Sequence, residues 1–391
     1  MNFTNIKTPA YVIDEKRLRE NLEILADVQR KSGAKILLAQ KAFSAYSTYP
    51  LIAKYLTGTT SSGLFEAKLA HEEFHDEAGD KKEVHTFEPA FCDDEIEEIC
   101  EISDHLVFNS ISQLEHHRPV WENASDKGTL SVGLRVNPEY STQEGHEIYD
   151  PCAPGSRLGI RLCDMPQKLP KGVKGLHFHT LCEQGFEPLK ETFVEFEKKF
   201  ARFLPIDGNE TGLEWINLGG GHHITKPDYD REGLIELVKY IKDKYQIDVY
   251  LEPGEAIALD AGYLVTTVMD IVKTEKYPVL ILDTSAACHM PDVLEMPYRP
   301  PLKDSGEADE KAFTYRLSSR TCLAGDVIGD YSFDNEKSIG DRLIFEDMAI
   351  YSMVKNNTFN GMPLPDICIL KEDESIITVK KFGYKDFKDR L

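Results

Sequence analysis

From about residue 35 to 255 the chain alternates short apolar runs of β type with amphipathic stretches of helical period. The β-type runs are AKILLAQKA, LTGTTSSG, EVHTFEP, HLVFNS, LSVGLRVNP, GLHFHT, WINLGGG and DVYLEPGE, eight in all. Between them, stretches such as LFEAKLAHEEF and PLKETFVEFEKKFARFL place apolar residues three and four apart, the spacing that lines one face of a helix. A further helix precedes the first run. Asp14 is placed to cap it, and Leu18, Leu22, Leu25 and Val28 share one face. Eight strands alternating with helices predict a (β/α)8 barrel.

After about residue 262 the texture changes. YLVTTVMDIV, PVLILDT, DRLIFEDMAIYSMV, DICILK and SIITVKKF read as strands with few helical stretches among them. This part predicts an antiparallel β domain. The early segment PAYVID also carries a strand signal and is expected to cross over and join it. A chain of 391 residues exceeds what one compact core serves. The expected division is a barrel over residues 14–261, with 1–13 and 262–391 making the β-rich domain.

Charge narrows the partners. A net charge of −22 would be repelled by a phosphate backbone, which argues against nucleic acid and fits a cationic ligand drawn to an acidic cleft. No run approaches the length of a membrane span, and the chain starts on a polar segment, MNFTNIKTP. The eight cysteines show no paired CxxC spacing, so the expectation is a cytoplasmic protein without a disulfide framework.

In a (β/α)8 barrel the active site lies at the C-terminal ends of the strands. Lys41, Glu88, Asn109, Arg135, His179, Gly219 to Gly221 and Glu252 all fall at such ends. Singly, each has an ordinary explanation: a lysine after a strand is usually solvated, and a glycine triplet is usually a tight turn. Together they point to one shared site. Lys41 follows the apolar run ILLA, where desolvation lowers an amine's pKa and makes it a Schiff-base candidate. GGGHHIT follows the seventh strand, and phosphate sites in these barrels favour the last two strands.

The histidines raise a rival reading. His177 and His179 point the same way along a strand, and His222 and His223 follow later, which would suit a metal-dependent hydrolase. Adjacent His222 and His223 diverge, however, and no carboxylate-rich cluster completes the set, so this reading ranks second and no metal is expected. A non-catalytic relative would have lost the Schiff-base lysine, and Lys41 is present.

Lys41, GLHFHT, NLGGGHH, EPGE, TCLAGD and YSMVKNNTFNG occur here in an order that resembles the fold-type III pyridoxal-phosphate decarboxylases, the ornithine and diaminopimelate decarboxylase group. The tokens LCEQ, GGGHHIT, EPGEA, CHMPD and TCLAGDVIGDYSF are most similar to its carboxynorspermidine-decarboxylating branch, and the match runs end to end. The resemblance implies an alanine-racemase-like barrel, pyridoxal 5'-phosphate as cofactor, and a homodimer with shared sites. It also implies roles. Lys41 would carry the cofactor, His179 would stack on its ring, and Arg135 would reach its phenolic oxygen or support nearby groups. Glu252 would face the ring nitrogen. Gly219, Gly220 and Gly221 would cradle the phosphate with a hydroxyl from Tyr351, and Cys322 would come from the partner subunit as proton donor.

Two positions depart from the wider group. Its motif reads EPGR, and here Glu255 stands in place of the arginine; an acidic residue usually follows the cysteine, and here it is Leu323. A carboxylate beside a phosphate is unfavourable unless a cation intervenes or it turns away. A polyamine substrate supplies that cation, so Glu255 and Asp292 are the candidates to grip its ammonium groups. The implied reactions are carboxynorspermidine to norspermidine and carboxyspermidine to spermidine, with diaminopimelate or ornithine as alternative substrates.

Overall fold

The computed structural model describes residues 3–143, 147–206 and 211–391. The chain divides into two compact units, Asn21–Ile257 and a second made of the residues up to Glu20 together with Ala258–Leu391. In the first unit eight parallel strands close on themselves: Lys35–Ala39, Gly58–Ser61, Glu83–Glu88, His105–Phe108, Ser131–Asn137, Val173–His177, Trp215–Asn217 and Asp248–Leu251. Each pairs with the next, and the last returns to the first through Tyr250 beside Lys35. All eight apolar runs became barrel strands. A two-residue strand, Ile160–Arg161, adds to the fifth.

Side-chain size explains how this barrel is filled. Trp215 points inward with Leu37, Val107 and Tyr250, and the indole needs more room than a barrel layer usually offers. Glycine on the neighbouring strands provides it. A methyl group at Gly175 would lie 2.0 Å from the indole, and one at Gly133 2.3 Å from it. Trp215 Nε1 then donates to Ser131 Oγ at 2.8 Å, so the buried polar atom is satisfied.

The predicted first helix is Glu15–Ser32. Leu18, Leu22, Leu25 and Val28 are all buried, and Asp14 Oδ1 accepts from Arg17 N at 3.0 Å as an N-terminal cap. No helix among the described residues is long and apolar enough to cross a membrane.

The second unit is an antiparallel-rich sheet built around Ala10–Asp14, the PAYVID segment. That strand runs antiparallel to Gly262–Val272 and parallel to Asp366–Leu370. A second parallel pairing joins Val279–Leu282 to Phe313–Ser319. Two strands escape the sequence pattern, Phe313–Ser319 and Val327–Phe333. Their outward positions carry Arg316 and Asp330, which pair across the ladder at 2.8 Å on the exposed face and thin the apolar signal. The long run from Asp341 breaks sooner than its apolar content suggests. The strand ends at Glu346, and Ser352–Lys355 is a short helix.

Candidate active site

The barrel brings Lys41, Arg135, His177, His179, Asn217 and Glu252 to one mouth, because each stands at or just beyond the C-terminal end of its strand. The turn before Lys41 is pinned by Gln40, which is fully buried. Its Nε2 donates to Ser61 Oγ at 2.9 Å and to the Glu66 carbonyl at 2.8 Å, while Tyr49 Oη donates to its Oε1 at 2.8 Å. Gly254 of EPGE lies against this turn. A methyl group there would stand 2.6 Å from the Ala42 side chain, so this glycine is needed for packing.

Lys41 Nζ lies 3.3 Å from His179 Nε2. His179 Nδ1 accepts the Gly220 amide at 3.0 Å, so the ring proton sits on Nε2. An N–H can only be directed at a lone pair, and the arrangement therefore favours Lys41 as a neutral amine. Crowding by protein atoms, then the Arg135 guanidinium, push the lysine below its ordinary pKa, with Glu252 opposing them. The side chain still reaches solvent. Burial, then Lys41 and Arg135, hold His179 well below the usual imidazole range.

Arg135 is buried, stacks over the Phe87 ring at 4.7 Å and donates to the His179 carbonyl at 3.0 Å. Burial lowers its pKa to about 10, opposed by Glu252. For Glu252 burial works in the raising direction, yet the imidazoles of His177 and His85 and the Asn217 amide hold it down at about 2. Asn217 Nδ2 donates to its Oε1 at 2.7 Å. His177 Nε2 stands 3.2 Å from Oε2 in an orientation that makes no hydrogen bond. The result is a buried carboxylate fixed in direction.

The glycine triplet is more constrained than its sequence implies. Gly219 N donates to Asn217 Oδ1 at 2.8 Å and Gly220 N to His179, so two of the three amides are already engaged. A methyl group at Gly220 would lie 2.0 Å from the Glu252 carbonyl oxygen, and one at Gly221 1.9 Å from that of Leu181. Gly219 and Gly221 also have positive φ, +72° and +80°. Of the three, Gly221 is the one whose amide these contacts leave for an anion.

The four histidines of the metal reading take separate partners. His177 faces Glu252 and His179 faces Lys41. His222 Nδ1 meets Tyr229 Oη at 2.6 Å, and His223 Nε2 meets Glu255 Oε2 at 2.6 Å. Asn109 is a loop pin, donating to the Arg157 carbonyl and accepting from Gly159 N. Glu88 is the residue whose chemistry the sequence undervalues. Burial, then Glu95, raises its pKa to about 7, and its Oε1 is buried with no hydrogen-bond partner among the described residues.

In the second unit, Cys322 lies exposed in the turn between Phe313–Ser319 and Val327–Phe333. Its amide donates to Asn360 Oδ1 at 2.7 Å. Asp326, fully buried, clamps the turn by accepting the hydroxyls of Ser285, Ser319 and Thr321 at 2.7, 2.5 and 2.6 Å. Tyr351 holds φ +54°, ψ −36°, a sparsely populated conformation for an aromatic residue that costs about 1–3 kcal/mol and collects at functional sites. Asp292 Oδ1 is engaged by Lys355, which also donates to Glu295 Oε2 at 2.6 Å.

Comparison with known proteins identifies this architecture. Residues 10–349 match the family model for the pyridoxal-dependent decarboxylase, C-terminal sheet domain. The chain belongs to the pyridoxal-dependent decarboxylases. It is 43% identical, over all of both chains, to the carboxynorspermidine/carboxyspermidine decarboxylase of Campylobacter jejuni. It is 38% identical to the carboxyaminopropylagmatine decarboxylase of a Synechocystis species, covering 99% of this chain and 96% of that one. A crystal structure of carboxynorspermidine decarboxylase from Campylobacter jejuni, complexed with norspermidine, superposes with a TM-score of 0.88 at 41% identity, covering 99% and 100% of the two chains.

The mouth of this pyridoxal-dependent decarboxylase fits a pyridoxal group. Its donor set offers a lysine amine depressed towards neutrality, a fixed carboxylate and a buried guanidinium. Glu88 Oε1 and the His177 nitrogens are buried polar atoms without a hydrogen-bond partner among the described residues, and a polar ligand could satisfy them.

Proposed function

We propose that this chain decarboxylates carboxynorspermidine to norspermidine and carboxyspermidine to spermidine, using pyridoxal 5'-phosphate, as a cytoplasmic homodimer with shared active sites. One observation carries the reading: Lys41, His179, Arg135 and Glu252 meet at the barrel mouth in a chain similar throughout to the Campylobacter enzyme. The bound cofactor supplies a cationic conjugated ring that can accept the electrons of a breaking carbon–carboxylate bond.

The residues prepare that chemistry. Lys41 Nζ, its charged form disfavoured by the His179 N–H directed at it, would be the amine to hold the aldehyde carbon. His179, with its ring fixed through Gly220, would pack on the cofactor ring, and Arg135 would support the phenolic side. Glu252 would keep a proton on the ring nitrogen, since a carboxylate held near pKa 2 would stabilise the positive charge there. Gly221 N would serve the phosphate, with Gly219 and Gly220 giving the close approach, and Tyr351 would be its hydroxyl donor. Cys322 from the partner subunit would be the group that returns a proton to the substrate carbon. The β-rich domain carries that cysteine, which gives this domain its part in the dimer.

Glu252→Gln tests the ring-nitrogen role. The amide keeps a partner for Asn217 but loses the charge, and kcat is expected to fall by about 100- to 1000-fold. Cofactor absorbance in the purified protein should be retained. Wild-type kcat in a cofactor-saturated variant would show that the carboxylate has no part in the electronics.

Glu255 and Asp292 grip the substrate's ammonium groups in this reading, and their present partners refine it. Glu255 accepts from His223 and Asp292 from Lys355, but a carboxylate accepts more than one donor. Replacing either by its amide is expected to weaken substrate binding by roughly 1.5–3 kcal/mol, and cofactor binding by less. An unchanged apparent substrate affinity alongside lost pyridoxal phosphate would move Glu255 to the phosphate site or the scaffold. The function itself is tested by assaying the purified protein with carboxynorspermidine, carboxyspermidine, carboxyaminopropylagmatine, diaminopimelate and ornithine. Turnover of diaminopimelate or ornithine in preference to the carboxylated polyamines would overturn it.

A further inference from the structure

A second group of donors lies in the loop that follows the third barrel strand, Glu83–Glu88, and uses none of the residues given a role above. The loop carries Asp93, and against it lie His116, the last residue of the helix Ile111–His116, and His117, which follows it. His117 is 3% exposed, beside the rings of Phe91 and Phe108. Its Nε2 lies 3.3 Å from the Phe91 carbonyl oxygen. A carbonyl only accepts, so the ring proton sits on Nε2 and Nδ1 presents a lone pair. That lone pair faces Asp93 Oδ1 at 3.8 Å, and the same oxygen is 2.7 Å from His116 Nε2.

A lone pair and a carboxylate oxygen facing each other are reconciled by a proton or by a cation between them. The remaining geometry suits a metal ion. One donor atom from each of Asp93, His116 and His117 lies within 4.8 Å of the other two. Bonds of about 2.0–2.2 Å in a tetrahedron set nitrogen and oxygen donors roughly 3.4 Å apart; the 3.8 Å pair lies near that spacing, and the 2.7 Å hydrogen bond between His116 and Asp93 would give up its proton and open to admit the ion. The Phe91 carbonyl on Nε2 is the outer hydrogen bond that fixes the tautomer of a ligating histidine. Asp94 and Glu95 in the same loop add negative charge. Exposed Asp93 and His116 leave room for water in a fourth position.

We propose that Asp93, His116 and His117 form a binding site for a divalent transition-metal ion of the zinc type, two imidazoles and a carboxylate being a set that suits it. The ion would clip the loop after the third barrel strand to the end of the helix Ile111–His116, which follows the fourth strand. A hydrogen bond from Phe91 N to Gln113 Oε1 at 2.8 Å already anchors that loop to the same helix.

The test is calorimetric titration of the pyridoxal-phosphate-saturated protein with zinc chloride. One ion per chain is expected to bind to this site with a dissociation constant of micromolar order. Asp93→Asn and His116→Gln lie on the surface and should leave folding and basal turnover unchanged. Each should weaken that binding step by at least about tenfold. Titrations of both variants that superpose on the wild type would overturn the site, as would a wild-type protein that binds no zinc below roughly 1 mM. Neither result depends on which amine the enzyme decarboxylates.

Discussion

Lys41→Ala is expected to reduce turnover to less than about one-thousandth of wild type and to remove the near-visible absorbance of a lysine-linked cofactor. The fold should survive. Lys41 reaches solvent, and the pinning of its turn comes from Gln40 and from the packing of Ala42 on Gly254, none of which the substitution touches. A melting temperature within about 2 °C of wild type is therefore expected. The structure sharpens the choice of lysine. An amine crowded by protein, placed next to a guanidinium and pointed at by an imidazole N–H has its charged form disfavoured. The neighbouring Lys35, at the opposite end of the same strand, has its charge held by Glu83 and Asp248 at 3.4 and 3.1 Å. Borohydride reduction of the holoenzyme followed by peptide mapping makes the measurement direct. A pyridoxyl label centred on any other lysine would sink the assignment.

Cys322→Ala and Lys41→Ala, each nearly inactive alone, should recover up to about a quarter of wild-type activity when mixed under conditions of subunit exchange. Random exchange makes half of the dimers hybrids, and each hybrid has one of its two sites intact. The prediction rests on Cys322 being supplied by the opposite chain. Its thiol is exposed in the single chain, whereas the usual fate of an unpaired cysteine is burial as a small apolar group. The turn that carries it is nonetheless tightly fixed. Asn360 holds the Cys322 amide from one side, in a left-handed conformation with φ +61°, and the buried Asp326 carboxylate gathers three hydroxyls behind it. Such rigidity around an exposed thiol is what a positioned proton donor requires. Differential tagging must verify that hybrids form. Verified hybrids without recovered activity would mean that the two residues act within one chain, or that the cysteine is structural.

Periodicity alone determined the barrel. Most of its strands are short runs rich in apolar or β-branched residues bounded by turn residues, as suits parallel strands covered on both faces, and Gly58–Ser61 reads as a strand through its threonines. The positions of Lys41, Arg135, His179 and Glu252 followed, because in such a barrel catalytic groups can only converge at one end. The second unit was less legible. Phe313–Ser319 and Val327–Phe333 carry the paired charges Arg316 and Asp330 on an exposed face, which weakens the apolar signal without weakening the ladder. Period two could have found Asn217, which shares the inward face with Trp215 on a short strand; nothing local shows that its amide would hold both Gly219 and Glu252. The present partners of Glu255 and Asp292, and the engagement of two glycine amides, were likewise beyond reach. Hydrogen bonds such as His223 to Glu255 or Lys355 to Asp292 join residues 32 and 63 positions apart. Their existence depends on where two loops or short helices meet. A sequence displays which groups a chain carries, and only the folded chain decides which donor reaches which acceptor first.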